Sequence, residues 1–581
     1  MNKYFNSLRK IMWVVLPFCL TVSCSDAWEA HYSTDQSVSQ NKSQTLVEKI
    51  AEYGEETDKF VQTLKTTMFV KNSDTIMSYY DYLNSDQVYT VWVPLESSIS
   101  EADWAEYTNP NKTLQQHKDV GQKFIKNHIA RYSYSIAYED AKVRMLSKKR
   151  YSSLAGADAT FAGVEYKTKN VPCKNGLLHF LDGTIEYLPT VYEYITEEES
   201  YKDNLGKFFL TYTVDEIDEE RSIVSGVDDN GEPIYIDSVT YKYSILMNKF
   251  GNISEEDSNY TVILPTAEAW QQMYDSIVDK FDYSYSKYDD RYNDSLQNYI
   301  TNNVLLTDMF FNMNINKKQN LATSTLYDKN DETSGQEVLH KYQDPYGAEG
   351  IFRAHVIDTI KCSNGQILLT DKWAFDADYI YNRTVKCETE IEKAVITPTA
   401  TKSSIASFDR DWTLRNLVSG RKAMRVDGAT GWQATYNVRD NLKGDYKVGV
   451  VIINNEFIPG VMEDQWLPFK FTITGNYFGV KDAILNPKNG RNAVNYTSTI
   501  KEIDEEGNEV SVPVDTVWIT NPKTGEPFIM SVPQCDYDVM MDEARLTLNI
   551  KCTVTSAELS QGKYSTMAVI DCILLEPVSE E

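Results

Sequence analysis

Two short sequences recur, in the same order, at two places in the chain. YTVWVP occupies residues 89–94 and YTVILP residues 260–265. Each is a β-rich run closed by a proline, which cannot donate to a sheet ladder and so ends a strand. A short helical stretch follows each, LESSISEADW and TAEAWQQMYDSI. Downstream, Asn175-Gly176 opens NGLLHFLD and Asn364-Gly365 opens NGQILLTD, with Asp182 and Asp371 at the same offset. Asn-Gly suits a tight turn because both residues tolerate positive φ. The apolar strand after the turn can then pair with the run that ends in proline. Such a repeat constrains the fold more than composition does. It predicts two copies of one module, the second lengthened by an insertion in the polar stretch 312–348.

These residues resemble the fasciclin domain, in which a strand reading roughly "yTvfaPtneAf" is followed by a "hi" segment and closed by "NGvihviD". The first copy supplies Tyr89, Thr90, Pro94, Asn127-His128-Ile129 and Asn175 to Asp182. The second supplies Tyr260 to Pro265, Thr266, Glu268, Ala269 and Trp270, then Asn364 to Asp371. The first departs at Leu95, where Thr is usual, and the second at Leu368, where the first has His179. The resemblance implies fasciclin domains at 43–192 and 193–375, with motif residues that maintain the fold. His128 and His179 are then core or capping residues.

Within the second copy, residues 207–250 alternate and read as a long β-hairpin around Asp229-Asn230-Gly231. DDNGE lacks the alternating ligands of a calcium loop. Residues 376–400 read as a linker around Pro398. From 401 to 581 the chain is a series of short strands broken by Gly, Asn and Pro, which predicts a β-sandwich. Its order, with DCILLEP at the end, resembles the sandwich of fasciclin lipoproteins found beside glycan-importer genes, and galactose-binding-like jelly rolls. The fold class expected is therefore two tandem α+β fasciclin domains followed by an all-β, jelly-roll-like sandwich.

The amino-terminal segment reads as an address. Lys3, Arg9 and Lys10 precede an apolar run, Ile11 to Leu20, too short to span a bilayer but of signal-peptide length. Ser23-Cys24 resembles a bacterial lipobox, although Thr21 stands where Leu is preferred. The resemblance implies a signal peptide at 1–23, lipid on Cys24 and a polar tether at 24–42. SDAWE (25–29) resembles a surface-export signal, so the expected location is the outer membrane, facing the exterior. The partners this implies are an outer-membrane importer of the starch-utilisation type, its lid lipoprotein, and a glycan bound by the sandwich. The alternative is cell-surface adhesion through the fasciclin domains.

Charge and motif content narrow the chemistry. A net charge of −28 argues against nucleic acid, whose phosphates attract clustered Lys and Arg. There is no HExxH, GxSxG, Walker loop or GxGxxG after a strand, and no cysteine pair at CxxC spacing. No two of the six histidines lie at i, i+4. Neither enzyme activity nor a cofactor or metal site is expected. Six cysteines beyond Cys24 leave disulfides and buried thiols equally open. The candidate ligand contacts are aromatic, since sugar faces stack on exposed rings. They are Trp432, placed after the glycine-rich turn DGATG, then Trp466, Trp412 and Tyr436.

Overall fold

The computed structural model describes residues 43–578 with several exceptions. These are 71–75, 137–139, 157, 218–222, 228–232, 238–239, 248–250, 285–289, 308, 313–354, 376, 378–380, 393–394, 478–484, 486–493 and 538–544. Cys24, the signal and tether, the Asp229-Asn230-Gly231 turn and nearly all of the expected insertion lie outside the described residues. The fold is mostly β-sheet with a few helices. It divides into two compact units, which meet in sequence between Leu188 and Pro189.

In the first unit, helix α1 (Leu46–Ala51) leads to strands β1 (Tyr89–Pro94), β2 (Ile129–Arg131), β3 (Val164–Cys173) and β4 (Gly176–Leu181). The sheet runs β2-β1-β4-β3 and continues through three short strands between 141 and 161. β1 and β4 are parallel, with Tyr89 opposite Gly176 and Pro94 opposite Leu181. β1 is buried along its whole length, which explains its unbroken apolar sequence.

The second unit begins with the same device. Helix α2 (Val191–Glu197) precedes β5 (Tyr260–Pro265), β6 (Phe310–Asn312), β7 (Val356–Cys362) and β8 (Gly365–Thr370). These pair in the order β6-β5-β8-β7, again with a parallel centre, Tyr260 opposite Gly365 and Pro265 opposite Thr370. Both helices open on a capping box, Thr45 with Glu48 and Thr190 with Glu193.

The Asn-Gly pair does more than turn the chain. Asn175 accepts from Leu46 N at 2.9 Å and donates to Leu83 O and Ser85 O, both at 2.7 Å. Asn364 accepts from Val191 N at 2.9 Å and donates to Ile253 O at 2.8 Å and Glu255 O at 3.1 Å. Neither asparagine has positive φ. Asparagine is needed because one amide can hold two carbonyls and one N–H of a helix start. Asn364→Ala strands these groups, at about 1–3 kcal/mol for each one left buried. We expect a loss of about 3 kcal/mol, read as a lower urea midpoint; an unchanged midpoint would show that water replaces the clamp.

The alternating segment after α2 is corrected at its start. Leu205–Thr211 is a helix that buries Leu205, Phe208 and Phe209, an i, i+3, i+4 face. Strand pairing begins only at Thr213, opposite Ser244.

The carboxy-terminal part is a two-sheet sandwich, and it starts earlier than expected. The supposed linker contains β9 (Val385–Glu388) and β10 (Val395–Thr397). The further strands are β11 (Lys402–Ser407), β12 (Lys422–Asp427), β13 (Gln433–Val438), β14 (Gly444–Ile453), β15 (Lys470–Tyr477), β16 (Tyr496–Thr497), β17 (Val514–Trp518), β18 (Ile529–Val532), β19 (Leu546–Cys552) and β20 (Met567–Pro577). One sheet runs β11-β12-β20-β14-β17, with β9 on β20 and β18 on β14; the other runs β10-β13-β19-β15-β16. Their facing side chains, among them Val426, Tyr436, Val450, Phe471, Leu548 and Ile573, form one buried cluster.

This sandwich and the preceding module share one unit. Leu442 and Cys535 of the sandwich enter the module's core. Lys443 pairs with Asp282 at 3.0 Å, and Cys535 N donates to Asp282 O at 2.9 Å. The six described cysteines are all free and buried.

Candidate functional site

The aromatic candidates separate once burial is known. Trp432 and Tyr436 are fully buried, which corrects the expectation that Trp432 is exposed and removes both as ligand contacts. Trp432 stacks on Phe469 at 5.4 Å and donates from Nε1 to Thr566 O at 2.7 Å. The glycine-rich turn wraps it: a Cβ on Gly428 would stand 2.8 Å from Trp432 Cδ1. Glycine here lets the chain close over the ring and does not expose it. Tyr436 lies on the inward face of β13, where Ala434, Tyr436 and Val438 alternate inward. That period of two starts at Trp432 and was readable in the sequence.

Trp466 is half-buried against a small cluster of Phe408, Leu414, Val418 and Val461, and donates to Val461 O at 3.3 Å. Trp412 alone presents an open ring, at 86% exposure. The Arg415 guanidinium lies 5.5 Å from its centre, a cation–π spacing that steadies the ring. Buried Phe408, Leu414 and Val418 fasten the loop Phe408–Arg421 to Met567 and Val569 on the outer face of the larger sheet.

The far end of the same loop covers a carboxylate cluster that the sequence reading, which found no metal-ligand spacing, did not anticipate. Val450 pairs with Ile573 and Ile452 with Ile570, so β20 holds one residue more than β14 between these pairs. This is a β-bulge. Ile570 and Ile573 both face the core, so Asp571 and Cys572 share the outer face. Glu388 is paired with Cys572 across β9 and β20. One ligand atom each from Glu388, Asp571 and Cys572 lie within 4.8 Å of one another. Glu390 follows, held because Thr389 donates to Asp571 O at 2.8 Å and accepts from Met424 N at 3.3 Å.

Ser419 ties the loop to this cluster. Its Oγ donates to Glu388 Oε1 and its N to Asp571 Oδ2 at 3.1 Å. Gly420 and Arg421 take φ of 54° and 58°, turning the backbone over Glu390. Among the described residues, Glu388 Oε2, Glu390 Oε2 and Asp571 Oδ1 have no hydrogen-bond partner. Asp571 is 2% exposed and Glu390 8%. Burial, reinforced by Glu388 and Glu390, pushes the Asp571 carboxyl up to about 7. Orphaned carboxylate oxygens in a buried cluster suit a divalent cation, which would satisfy them and offset their repulsion.

A cavity of about 520 Å³ lies elsewhere in the second unit. Tyr381, Arg383, Lys386, Arg439, Asp440 and Tyr537 line it, and Arg439 is paired with Glu392 at 3.4 Å. Rings beside charged donors and acceptors are groups that hold polar ligands.

The two histidines of the repeat motifs are structural. His128 Nδ1 donates to Phe124 O at 2.8 Å while Nε2 accepts from Ile185 N at 3.1 Å. His179 Nε2 donates to Tyr134 O at 2.9 Å and Nδ1 accepts from Asn170 N at 3.3 Å. Both rings are fully buried.

No protein-family model matches the chain, and no curated protein does. Solved structures do match over parts of it. A fasciclin I FAS1 domain pair from an insect cell adhesion molecule is 11% identical, covering 52% of this chain and 93% of its own, with a TM-score of 0.17. A family 35 carbohydrate binding module from Clostridium thermocellum is 12% identical, covering 34% of this chain and 99% of its own, also at 0.17. An exo-β-1,3-galactanase from Phanerochaete chrysosporium is 17% identical, covering 33% of this chain and 28% of its own, at 0.17. The chain spans less than a third of the length of the glycoside hydrolases it matches. The expectation that the chain is not an enzyme is corrected by these comparisons. A galactanase, an α-1,3-glucanase and a β-(1,4)-mannanase stand among the matched structures, and likenesses of this depth establish no activity.

Proposed function

We propose that the chain is a lipid-anchored outer-membrane surface protein, tethered at Cys24, whose carboxy-terminal sandwich binds a glycan for a neighbouring importer. The two repeated modules are read as tandem fasciclin domains that serve as scaffold. The repeated parallel pair and the repeated asparagine clamp support that reading. Trp412 carries the glycan assignment. An indole at 86% exposure on a loop anchored at both ends is a preorganised stacking platform, and such platforms are how proteins engage flat ligand faces.

The test is affinity electrophoresis of the full chain in gels cast with different polysaccharides. At least one polysaccharide should retard it, and Trp412→Ala should weaken that retardation more than about tenfold, a loss of ~1.4 kcal/mol. Trp432→Ala should act differently, lowering stability by about 3–5 kcal/mol through a core cavity. Free migration in every gel would sink the glycan assignment.

A further inference from the structure

We propose that Glu388, Asp571 and Cys572 form a site for a thiophilic divalent cation of the zinc class, with Cys572 Sγ as one ligand. Three observations carry this. The bulge in β20 turns Asp571 and Cys572 to the same side of the sheet, an arrangement that regular alternation forbids. Glu388 stands opposite Cys572 on the paired strand, so one ligand atom from each of the three falls within 4.8 Å of the others. Asp571 is 2% exposed, and its Oδ1 has no hydrogen-bond partner among the described residues, as is also true of Glu388 Oε2.

The thiol decides the class of ion. Calcium and magnesium take oxygen ligands, and a site built for them gains nothing from sulfur. Zinc accepts thiolate and carboxylate ligands together, and where the protein supplies three groups, as in open zinc sites, water takes the fourth position. Cys572 is not held in a disulfide. Cys387, on the neighbouring strand, points into the core between the sheets, so a bridge does not compete for the sulfur. On binding, the Cys572 S–H bond breaks, a sulfur–metal bond forms with the sulfur's electron pair, and the proton passes to solvent. No oxidant or reductant is involved. Ser419, which donates to both carboxylates, makes the site continuous with the loop that bears Trp412.

The full-length protein, freed of metal by a chelator, is titrated with cadmium as a spectroscopic stand-in for zinc, and with zinc by calorimetry. One equivalent of cadmium should produce a thiolate-to-metal charge-transfer absorption in the ultraviolet. That band should vanish in Cys572→Ser and persist in Cys535→Ser. Zinc should raise the melting midpoint, release protons into an indicator buffer, and bind more than about tenfold more weakly to Cys572→Ser. Cys572→Ser keeps the carboxylates and nearly the same volume, so it reads the ligand role without depending on Asp571 variants that risk misfolding. Calcium raising the midpoint with no cadmium band would overturn the thiolate ligand and leave an oxygen-only site. Absence of binding by cadmium and zinc would overturn the site itself. Both results leave retardation of the protein by polysaccharide as a separate question.

Discussion

Gly365→Ala should prevent the second module from forming its central strand pair. Gly365 sits at φ 142°, and a Cβ there would stand 1.9 Å from Tyr260 O. That distance lies far inside van der Waals contact, and the obstructing atom is backbone, which cannot rotate away. The carbonyl belongs to β5, the buried partner of β8. Relief therefore requires the parallel pair to part, and with it the core containing Tyr260, Val262, Leu264 and Ile367. Gly176→Ala poses the same problem in the first unit, with a Cβ at 1.8 Å from Tyr89 O. Each substitution should cost more than about 4 kcal/mol, the range reserved for broken cores and forbidden backbone. Because the two glycines lie in different compact units, limited proteolysis should show Gly176→Ala losing the first and keeping the second, with the opposite result for Gly365→Ala. Variants as resistant as the parent would show that the strands can separate cheaply.

Acid should unfold the first unit through two histidines. Burial is the main reason that His128 and His179 are each pushed down to about 4. In each ring the nitrogen that would take the proton already accepts from a backbone N–H, Ile185 N or Asn170 N. Protonation sets two donors against each other with no water between them. An unfolded histidine titrates near 6.5, so the folded value is depressed. The stability this represents is complete above about pH 6.5 and is lost progressively as pH falls towards 4. Each ring contributes about 3 kcal/mol across that window. Together that is comparable to the whole stability of an ordinary domain. Trp92, whose ring lies 5.3 Å from that of His179, provides a fluorescence signal for this unit. Its urea midpoint should fall steeply between pH 7 and 4.5, and less steeply in His128→Gln. A midpoint constant across that range would show that neither histidine is held neutral.

How far the sequence could be read depends on the range of the interaction that decides each feature. The repeat was legible because the strand pair it encodes is specified locally at each end: a buried strand closed by proline, and a glycine that must approach a carbonyl. The role of Asn175 and Asn364 was not, since their partners lie in other segments; the asparagine-to-Leu46 bond spans 129 residues. The linker reading failed because β9 and β10 are short and become strands only through pairing with β20 and β13. Leu205–Thr211 was misjudged because a short apolar run carries little periodicity. The glycine-rich turn before Trp432 suggests exposure, whereas its period-two relation to Tyr436 points inward, and the fold follows the period. The carboxylate cluster left no trace in any window, because a bulge creates it from residues of two distant strands.

The position of β20 has a consequence for how this protein matures. It is the last strand of the sandwich in sequence and yet pairs with β9, β12 and β14 in the middle of the larger sheet. Thr389 meets Asp571 across 182 residues. Topologies dominated by such distant pairings fold slowly. Until β20 arrives, β12 and β14 are open edges that invite pairing with other chains. The loop bearing Trp412 rests on Met567, Val569 and Asp571 of β20 as well as on Ile453, Ile458 and Val461, so part of its support is missing before then. On the proposed function, glycan binding through Trp412 is complete only once β20 is in place: a chain stopped short of β20 should bind polysaccharide more weakly than the full chain and be prone to aggregate.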